Sequence, residues 1–202
     1  MQSGDPLAAS QRGKYQIDAD HIGVWGTSTG RHLAAILGSS GGDPYLEGFG
    51  GMPTNTSLRK YRGKEVTFEF SSEVQAVVAH FGPTDFLKMG GNHSGPTSAE
   101  SRFLGGKITG IKEQVRRANP ITNVDKDDPP ILLVHGRKDM GVIFNQSELL
   151  YAALKKAGAV TKLVSVANAG HGYRPTLEGA EIKPSKNEID AMELTWFREY
   201  LR

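Results

Sequence analysis

The 202-residue sequence contains no cysteine. This absence excludes disulfide bonds, thiolate catalysis and zinc sites built on thiolates, and it leaves the redox compartment undecided. No stretch approaches the roughly 18 apolar residues expected of a membrane-spanning helix. The first ten residues, MQSGDPLAAS, lack a charged segment followed by an apolar one, so no signal peptide is visible and the localisation stays unknown.

The sequence also lacks a clear excess of positive or negative charge. The chain has 24 Lys and Arg against 22 Asp and Glu, a net charge of +2 with both signs scattered along the sequence. Without a basic stripe, a nucleic-acid partner is not expected. No grouping of His, Asp and Glu has the spacing of metal ligands, so no metal is predicted. The length fits one domain.

Four short apolar runs rich in β-branched residues predict buried strands, at residues 22–25, 74–81, 131–134 and 162–166. Helical patterns lie between and after them, at residues 31–37, 145–158 and 187–201. Because strands alternate with helices, we predict an α/β fold with a mainly parallel sheet and helices on both faces.

Residues 41–72 break this alternation. The stretch holds glycines, prolines and a basic cluster of Arg59, Lys60, Arg62 and Lys64, and it has no clear periodicity. We predict a long surface excursion, which either lids a site or is a solvated loop without a role.

The segment GTSTG, residues 26–30, matches the G-x-S-x-G pattern between an apolar strand and a helix. The glycines permit a sharp turn that lifts Ser28 above the strand ends. The helix N-terminus directs N–H groups, including that of Thr29, toward developing negative charge. The pattern predicts Ser28 as a nucleophile, and the alternative is a capping serine in a Gly-rich turn. Thr27, Thr29 and Arg31 are candidates for oxyanion or substrate binding.

A serine hydroxyl is a weak nucleophile, so it needs a base and a carboxylate that orients this base. The expected chain order is serine, acid, histidine. Asp139 and His171 follow in this order, each just past the carboxyl end of a predicted strand, where ligands bind in open α/β sheets. Asp85, in FGPTDF, is a rival acid. His32 and His135 are interpreted as structural residues, in the helix after Ser28 and at the strand end before Asp139.

At these residues the chain resembles the α/β-hydrolase fold, specifically hormone-sensitive-lipase-like and acetyl- or feruloyl-esterase-like enzymes. The resemblance is carried by KYQIDADHIGVWGTSTGRHLAA, VQAVVAHFGPTDF, ANPITNV, DDPPILLVHGRKD, NQSELLYAALKKAG and GHGY. It implies that Ser28 is the nucleophile, Asp139 the orienting acid and His171 the general base. It also implies hydrolysis of short-chain acyl esters through an acyl-enzyme, without a cofactor.

The same resemblance implies that part of the usual domain is absent. Such enzymes have about four strands and a His-Gly-Gly oxyanion motif before the nucleophile elbow, which is the sharp turn with the G-x-S-x-G serine, whereas this chain has 27 residues before Ser28 and no His-Gly-Gly anywhere. We therefore predict that residues 1–202 form one truncated domain. The unpaired edge of strand 22–25 would then associate with a second copy or be completed by another chain. Alternatively, residues 1–16 or 41–72 cover that edge.

Three positions depart from the pattern of the family. Thr29 replaces the usual Ala and is expected to narrow the acyl side of the pocket. Arg31 replaces the usual Gly and is expected either to favour an anionic substrate or to be solvated. The Asp139-Met140-Gly141 sequence replaces Asp-Pro-Val, which predicts a looser acid loop. Two other functions stay open: a weakly active or non-catalytic subunit that works by association, and a prolyl-oligopeptidase-like serine peptidase.

Overall fold

The computed structural model describes residues 12–18, 20–41, 57–61, 64–68 and 72–202. Its strands are β1 Gly23–Thr27, β2 Ser57–Tyr61, β3 Lys64–Phe68, β4 Ala76–His80, β5 Ile131–Gly136 and β6 Thr161–Val166. Its α-helices are α1 Arg12–Tyr15, α2 Thr29–Ser39, α3 Ala99–Leu104, α4 Lys112–Ala118, α5 Asn145–Ala157 and α6 Lys186–Tyr200. Short 3-10 helices occur at Phe86–Lys88, Gly91–Ser94, Pro120–Thr122 and His171–Tyr173.

The main sheet has the strand order β1-β4-β5-β6, and its neighbouring strands are parallel. Thr27 at the end of β1 lies opposite His80, and His80 lies opposite Val134 of β5. Because parallel strands end at one edge, the loops after β1, β4, β5 and β6 meet there. The predicted parallel α/β sheet is confirmed.

Helices cover both faces of this sheet, as the sequence predicts. On one face, α2 and α5 bury Ala35 and Leu150 against Val77 of β4. On the other face, α6 buries Trp196 against the neighbouring Val78 of β4. Every residue of β4 and β5 is buried, which is why these strands read as continuous apolar runs rather than as alternating patterns.

Strand β1 forms an edge of the described sheet. It pairs with β4 on one side, and no described strand pairs with its other side. Trp25 is 53% exposed there, although its indole N–H donates to Glu193 of α6 at 2.8 Å. The edge that the sequence predicts is therefore present in the described part of the chain. Its association with a second copy or another chain stays a prediction.

The stretch 41–72 contains more regular structure than its sequence suggests. Strands β2 and β3 pair antiparallel at residues 57–61 and 64–68, and these two strands were not predicted from the sequence. Each strand has only five residues, and the basic cluster obscures their alternation. The predicted lid depends on residues of this stretch that lie outside the described ones. Among the described helices, none has the length and apolarity needed to cross a bilayer.

Candidate active site

Ser28 is the single residue between β1 and α2, and its backbone is strained. Its φ of 51° and ψ of −118° lie in a region that L-residues rarely adopt, at a cost of about 1–3 kcal/mol. Two backbone hydrogen bonds hold the turn: Ser28 N–H donates to His80 O at 2.9 Å, and His32 N–H donates to Ser28 O at 3.2 Å. The surrounding structure thus maintains the sharp turn predicted for a nucleophile.

Two glycines allow the backbone to pack closely around Ser28. A methyl group at Gly26 would lie 2.2 Å from the carbonyl oxygen of Gly30. A methyl group at Gly82, in the loop after β4, would lie 2.3 Å from the carbonyl oxygen of Ser28. At Gly30 the same methyl would meet no atom within 4 Å. Gly82, which the sequence analysis did not single out, is therefore more important for this packing than the second glycine of the motif.

The structure brings the three predicted residues Ser28, Asp139 and His171 into one hydrogen-bonded line. His171 Nε2 is 3.1 Å from Ser28 Oγ, and His171 Nδ1 is 2.8 Å from Asp139 Oδ2. If Nδ1–H donates to the carboxylate, Nε2 is free to accept the hydroxyl proton of Ser28. The Asp139 side chain is fully buried, whereas that of His171 is 40% exposed. The arrangement can therefore move a proton from an accessible hydroxyl to a histidine that a buried acid orients.

Hydrogen bonds keep the Asp139 carboxylate charged. Burial alone would raise the pKa of Asp139, but hydrogen bonds from His135, the Val142 N–H and His171 outweigh it, so the pKa lies below its ordinary value. The other oxygen, Oδ1, accepts the N–H groups of Gly141 at 2.8 Å and Val142 at 2.9 Å. An ionised acid at this position stabilises the protonated form of His171.

The loop after β5 that carries Asp139, called the acid loop, is also held through its backbone carbonyl oxygens. His93 Nε2 is 3.0 Å from Gly141 O, and His135 Nε2 is 2.8 Å from Val142 O. These hydrogen bonds hold the loop at Gly141 and Val142. The looser loop expected from Met140 and Gly141 stays a prediction.

One aromatic ring, that of Phe81, packs against His171, and Tyr173 packs against Phe81. Phe81, with a φ of 35°, meets the His171 ring edge to face with ring centroids 5.0 Å apart. The Tyr173 hydroxyl donates to Val134 O at 3.3 Å and contacts His80 Nδ1, and burial raises the pKa of this phenol. These contacts were not predicted from the sequence. The only indications in the sequence were the positions of Phe81 after a strand and of Tyr173 two residues after His171.

The rival acid Asp85 has a different role. Its Oδ1 accepts the N–H of Leu87 and the amide of Asn119, each at 3.1 Å, and its Oδ2 lies 3.2 Å from Lys88 Nζ. Asp85 therefore caps the 3-10 helix Phe86–Lys88. The carboxylate that contacts His171 is that of Asp139.

Thr27 and Thr29 flank Ser28 at the end of β1 and the start of α2. The Thr29 N–H belongs to the first helical turn, whose N–H groups have no acceptor within the helix. Oriented backbone donors of this kind suit an anion that forms beside Ser28. Within the described residues, no group of three or more His, Asp and Glu could hold a metal ion.

Both expectations for Arg31 are wrong. Its side chain is completely buried, so it is neither solvated nor able to reach a substrate anion. The guanidinium donates to Gly82 O, to Thr84 Oγ1 at 2.9 Å and to Ser147 Oγ at 3.4 Å, and burial lowers its pKa to about 9. Arg31 lies one helical turn after Ser28, where α2 faces the loop that follows β4, so its long side chain is directed inward.

The structural interpretations of His32 and His135 are confirmed. His32 is buried, stacks on Phe86 with ring centroids 4.8 Å apart and contacts Pro83 O at 3.3 Å. His135 is fully buried in β5, where Nδ1 lies 2.7 Å from Ser147 Oγ. Sequence position alone did not reveal that His135 also lies 3.4 Å from Asp139 Oδ2.

Comparison with known proteins adds a family and several relatives. A family model described as BD-FAE matches residues 8–154, a range that includes Ser28 and Asp139 but not His171. Esterase LipQ of Mycobacterium tuberculosis is 30% identical over 162 residues, which are 79% of this chain and 34% of LipQ. This chain thus spans about a third of that relative. An uncharacterized peptidase of Bacillus subtilis, YuxL, is 32% identical over 89 residues, which are 44% of this chain and 13% of YuxL.

A solved structure extends the comparison over the whole chain. It is described as a truncated form of carbohydrate esterase from gut microbiota, and it superposes with a TM-score of 0.76 at 28% identity. The match covers 100% of this chain and 67% of the solved one.

Proposed function

This chain belongs to the BD-FAE family and has the α/β-hydrolase fold, and we propose that it hydrolyses carboxylic esters with Ser28 as the nucleophile. His171 is the general base, and Asp139 orients it. The observation that carries the proposal is the hydrogen-bonded line from Ser28 Oγ to His171 at 3.1 Å and on to Asp139 at 2.8 Å. An esterase among the relatives, LipQ, supports the ester bond as the target.

Acylation follows from these contacts. Ser28 Oγ attacks the ester carbonyl carbon as its proton passes to His171 Nε2, and Asp139 stabilises the imidazolium through Nδ1. The negative charge that develops on the carbonyl oxygen is stabilised by the Thr29 N–H at the start of α2. Collapse of this intermediate expels the alcohol, which takes the proton from His171 and leaves the acyl group on Ser28.

Deacylation repeats the sequence with water. His171 removes a proton from a water molecule that attacks the acyl carbon, and then returns this proton to Ser28 as the carboxylic acid leaves. Because the chain has no His-Gly-Gly sequence, we assign one oxyanion donor, Thr29 N–H, within it. One donor fewer lowers turnover by about 10²–10³, so we expect activated esters to be hydrolysed and simple amides to resist.

The substrate class that we propose is a short acyl ester, acetyl or feruloyl, carried on a carbohydrate. Support comes from the carbohydrate esterase structure at 28% identity. Thr29, exposed at the elbow, is the residue that we expect to narrow the acyl side of the site. Initial rates on p-nitrophenyl esters of increasing acyl length test this preference, and a Thr29→Ala variant should accept longer chains.

The function itself is tested with p-nitrophenyl acetate. The unmodified chain should hydrolyse it much faster than buffer alone does, because His171 accepts the Ser28 proton as the bond to the acyl carbon forms. Ser28→Ala and His171→Ala should abolish this activity, and Asp85→Asn, at the rival acid, serves as the matched control. If the unmodified chain and Ser28→Ala hydrolyse the ester at equal rates, the proposal is refuted.

A serine peptidase is the second candidate, and the partial match to the B. subtilis peptidase favours it. The elbow and the order of the triad suit both reactions. An Xaa-Pro p-nitroanilide separates them: its Ser28-dependent cleavage at a rate comparable to that of the ester would make the peptidase the better assignment.

We retain two further predictions as proposals. The first is that residues 1–202 form one domain. The second is that the open edge of β1 associates with a second copy or another chain, and the exposed Trp25 on that strand supports it. If Ser28→Ala leaves ester hydrolysis unchanged, the remaining hypothesis is a subunit that associates with another chain and has no activity of its own.

A further inference from the structure

The loop that carries Asp139 is held by a histidine outside the triad. His93 lies in the 3-10 helix Gly91–Ser94, and its Nε2 is 3.0 Å from the carbonyl oxygen of Gly141. Its other ring nitrogen, Nδ1, is 2.8 Å from Glu100 Oε1. The first contact connects the segment after β4 with the loop after β5 that carries Asp139, and the second lies within the segment after β4.

Gly141 lies between His93 and the triad and contacts both. Its N–H donates to Asp139 Oδ1 at 2.8 Å. Its Cα lies beside the catalytic base, since a methyl group at Gly141 would be 3.5 Å from Cγ and Nδ1 of His171. A displacement of Gly141 would therefore change both the hydrogen bonding of Asp139 and the packing against the His171 ring.

The chemistry of the His93 contacts fixes the direction of its donor. A carbonyl oxygen can only accept, so Nε2 carries a hydrogen that points at Gly141. The 2.8 Å contact between Nδ1 and Glu100 requires a proton on one of those two atoms. The Glu100 side chain is 8% exposed and lies in the first turn of α3, which Ser98 caps through the Ser101 N–H. The imidazole is thus held by a buried carboxyl group on a fixed helix.

We propose that His93 is a positioning residue of the active site. Its Nε2–H, oriented by Glu100, holds the Gly141 carbonyl and thereby keeps Asp139 aligned with His171. The effect on turnover rests on the proposed function, whereas the effect on the loop is independent of it.

Two substitutions separate the hydrogen bond to Gly141 from the remaining role of the ring. In His93→Gln the side-chain amide reaches the position of Nε2 and can donate to Gly141. In His93→Asn the amide reaches only the position of Nδ1, so it keeps the contact with Glu100 and loses Gly141. We expect kcat for p-nitrophenyl acetate to fall by about 10-fold to 100-fold in His93→Asn, with KM unchanged, because small misplacements of a catalytic group have effects of this size. His93→Gln should restore most of the lost turnover.

Amide hydrogen exchange provides a readout that does not need turnover. Exchange at Gly141 and Val142 should accelerate by about 10-fold or more in His93→Asn but not in His93→Gln, while the β5 amides, as a control for global stability, stay protected. Unchanged exchange at Gly141 in His93→Asn would overturn the proposal, whether or not the chain is active. Faster exchange with an unchanged kcat would overturn the positioning role. If Ser28→Ala leaves turnover unchanged, the proposed function fails instead, and the exchange data still decide whether His93 holds the loop.

Discussion

Acid should destabilise this protein through His32, and the size of the effect follows from the surroundings of this ring. His32 is 3% exposed, and it packs edge to face on Phe103 as well as stacking on Phe86. Burial lowers the pKa of His32 to about 4; the Pro83 carbonyl opposes this shift, and the Arg31 charge adds to it. A histidine in the unfolded chain has an ordinary pKa of about 6.5.

The sign of the effect is set by the order of these two values. Because the pKa is lower in the folded state, the unfolded chain binds the proton first as the pH falls. The stability that the neutral ring contributes is complete above about pH 6.5 and is lost toward about pH 4. The full difference corresponds to about 3 kcal/mol, of which about 2 kcal/mol is lost between about pH 7 and pH 5.

Urea unfolding at these two pH values measures the loss, with His32→Asn as the comparison. Asparagine does not titrate here, and its amide can still donate to the Pro83 carbonyl from near the position of Nδ1. We expect the free energy of unfolding to fall by about 2 kcal/mol less in the variant than in the unmodified chain. Asp139 and the other carboxylates act in both chains and cancel in the comparison. Equal losses in the two chains would show that burial does not keep the His32 ring neutral.

Three further predictions concern the site and the sheet edge. Asp139→Asn should lower kcat for p-nitrophenyl acetate by about 10⁴-fold, while Asp85→Asn leaves it unchanged; similar losses in both would contradict the assignment of the acid. Gly26→Ala should lower the melting temperature markedly, because its methyl would lie 2.2 Å from a carbonyl oxygen, whereas Gly30→Ala, with open space, should not; equal melting of the two variants would count against the packing argument. Sedimentation at micromolar concentration should reveal association through β1, and a strict monomer would contradict it.

The parts of the fold that could be predicted are those encoded by local patterns. β4 and β5 are buried on both faces, so their sequences are uninterrupted apolar runs that are visible without a structure. Helix α5 ends where Gly158 adopts a φ of 90°, at the glycine that the sequence marks as its end. The two short helices α3 and α4, of six and seven residues, carry too few turns for a periodic pattern, and they were not predicted.

The residues of the site are likewise of two kinds, those that the sequence predicts and those that it does not. Ser28, Asp139 and His171 could be found because each follows a strand in an order set by the topology of the sheet. The residues that support them could not be found, since their contacts join distant parts of the chain. Arg31 is buried by a loop 51 residues away, and His93 reaches Gly141 across 48 residues. From sequence alone, a charged or titratable side chain is expected at the surface. Only the tertiary structure shows that Arg31 is buried and that His93 contacts Gly141.

If His171 and Asp139 activate Ser28 as a nucleophile, paraoxon should label Ser28 covalently. An organophosphate reacts with an activated serine hydroxyl and requires no knowledge of the natural ester. We predict that peptide mapping finds one label, on Ser28, that Ser28→Ala is not labelled, and that His171→Ala is labelled far more slowly. A label on another residue, or an equal rate of labelling in the unmodified chain and His171→Ala, would mean that His171 does not activate Ser28.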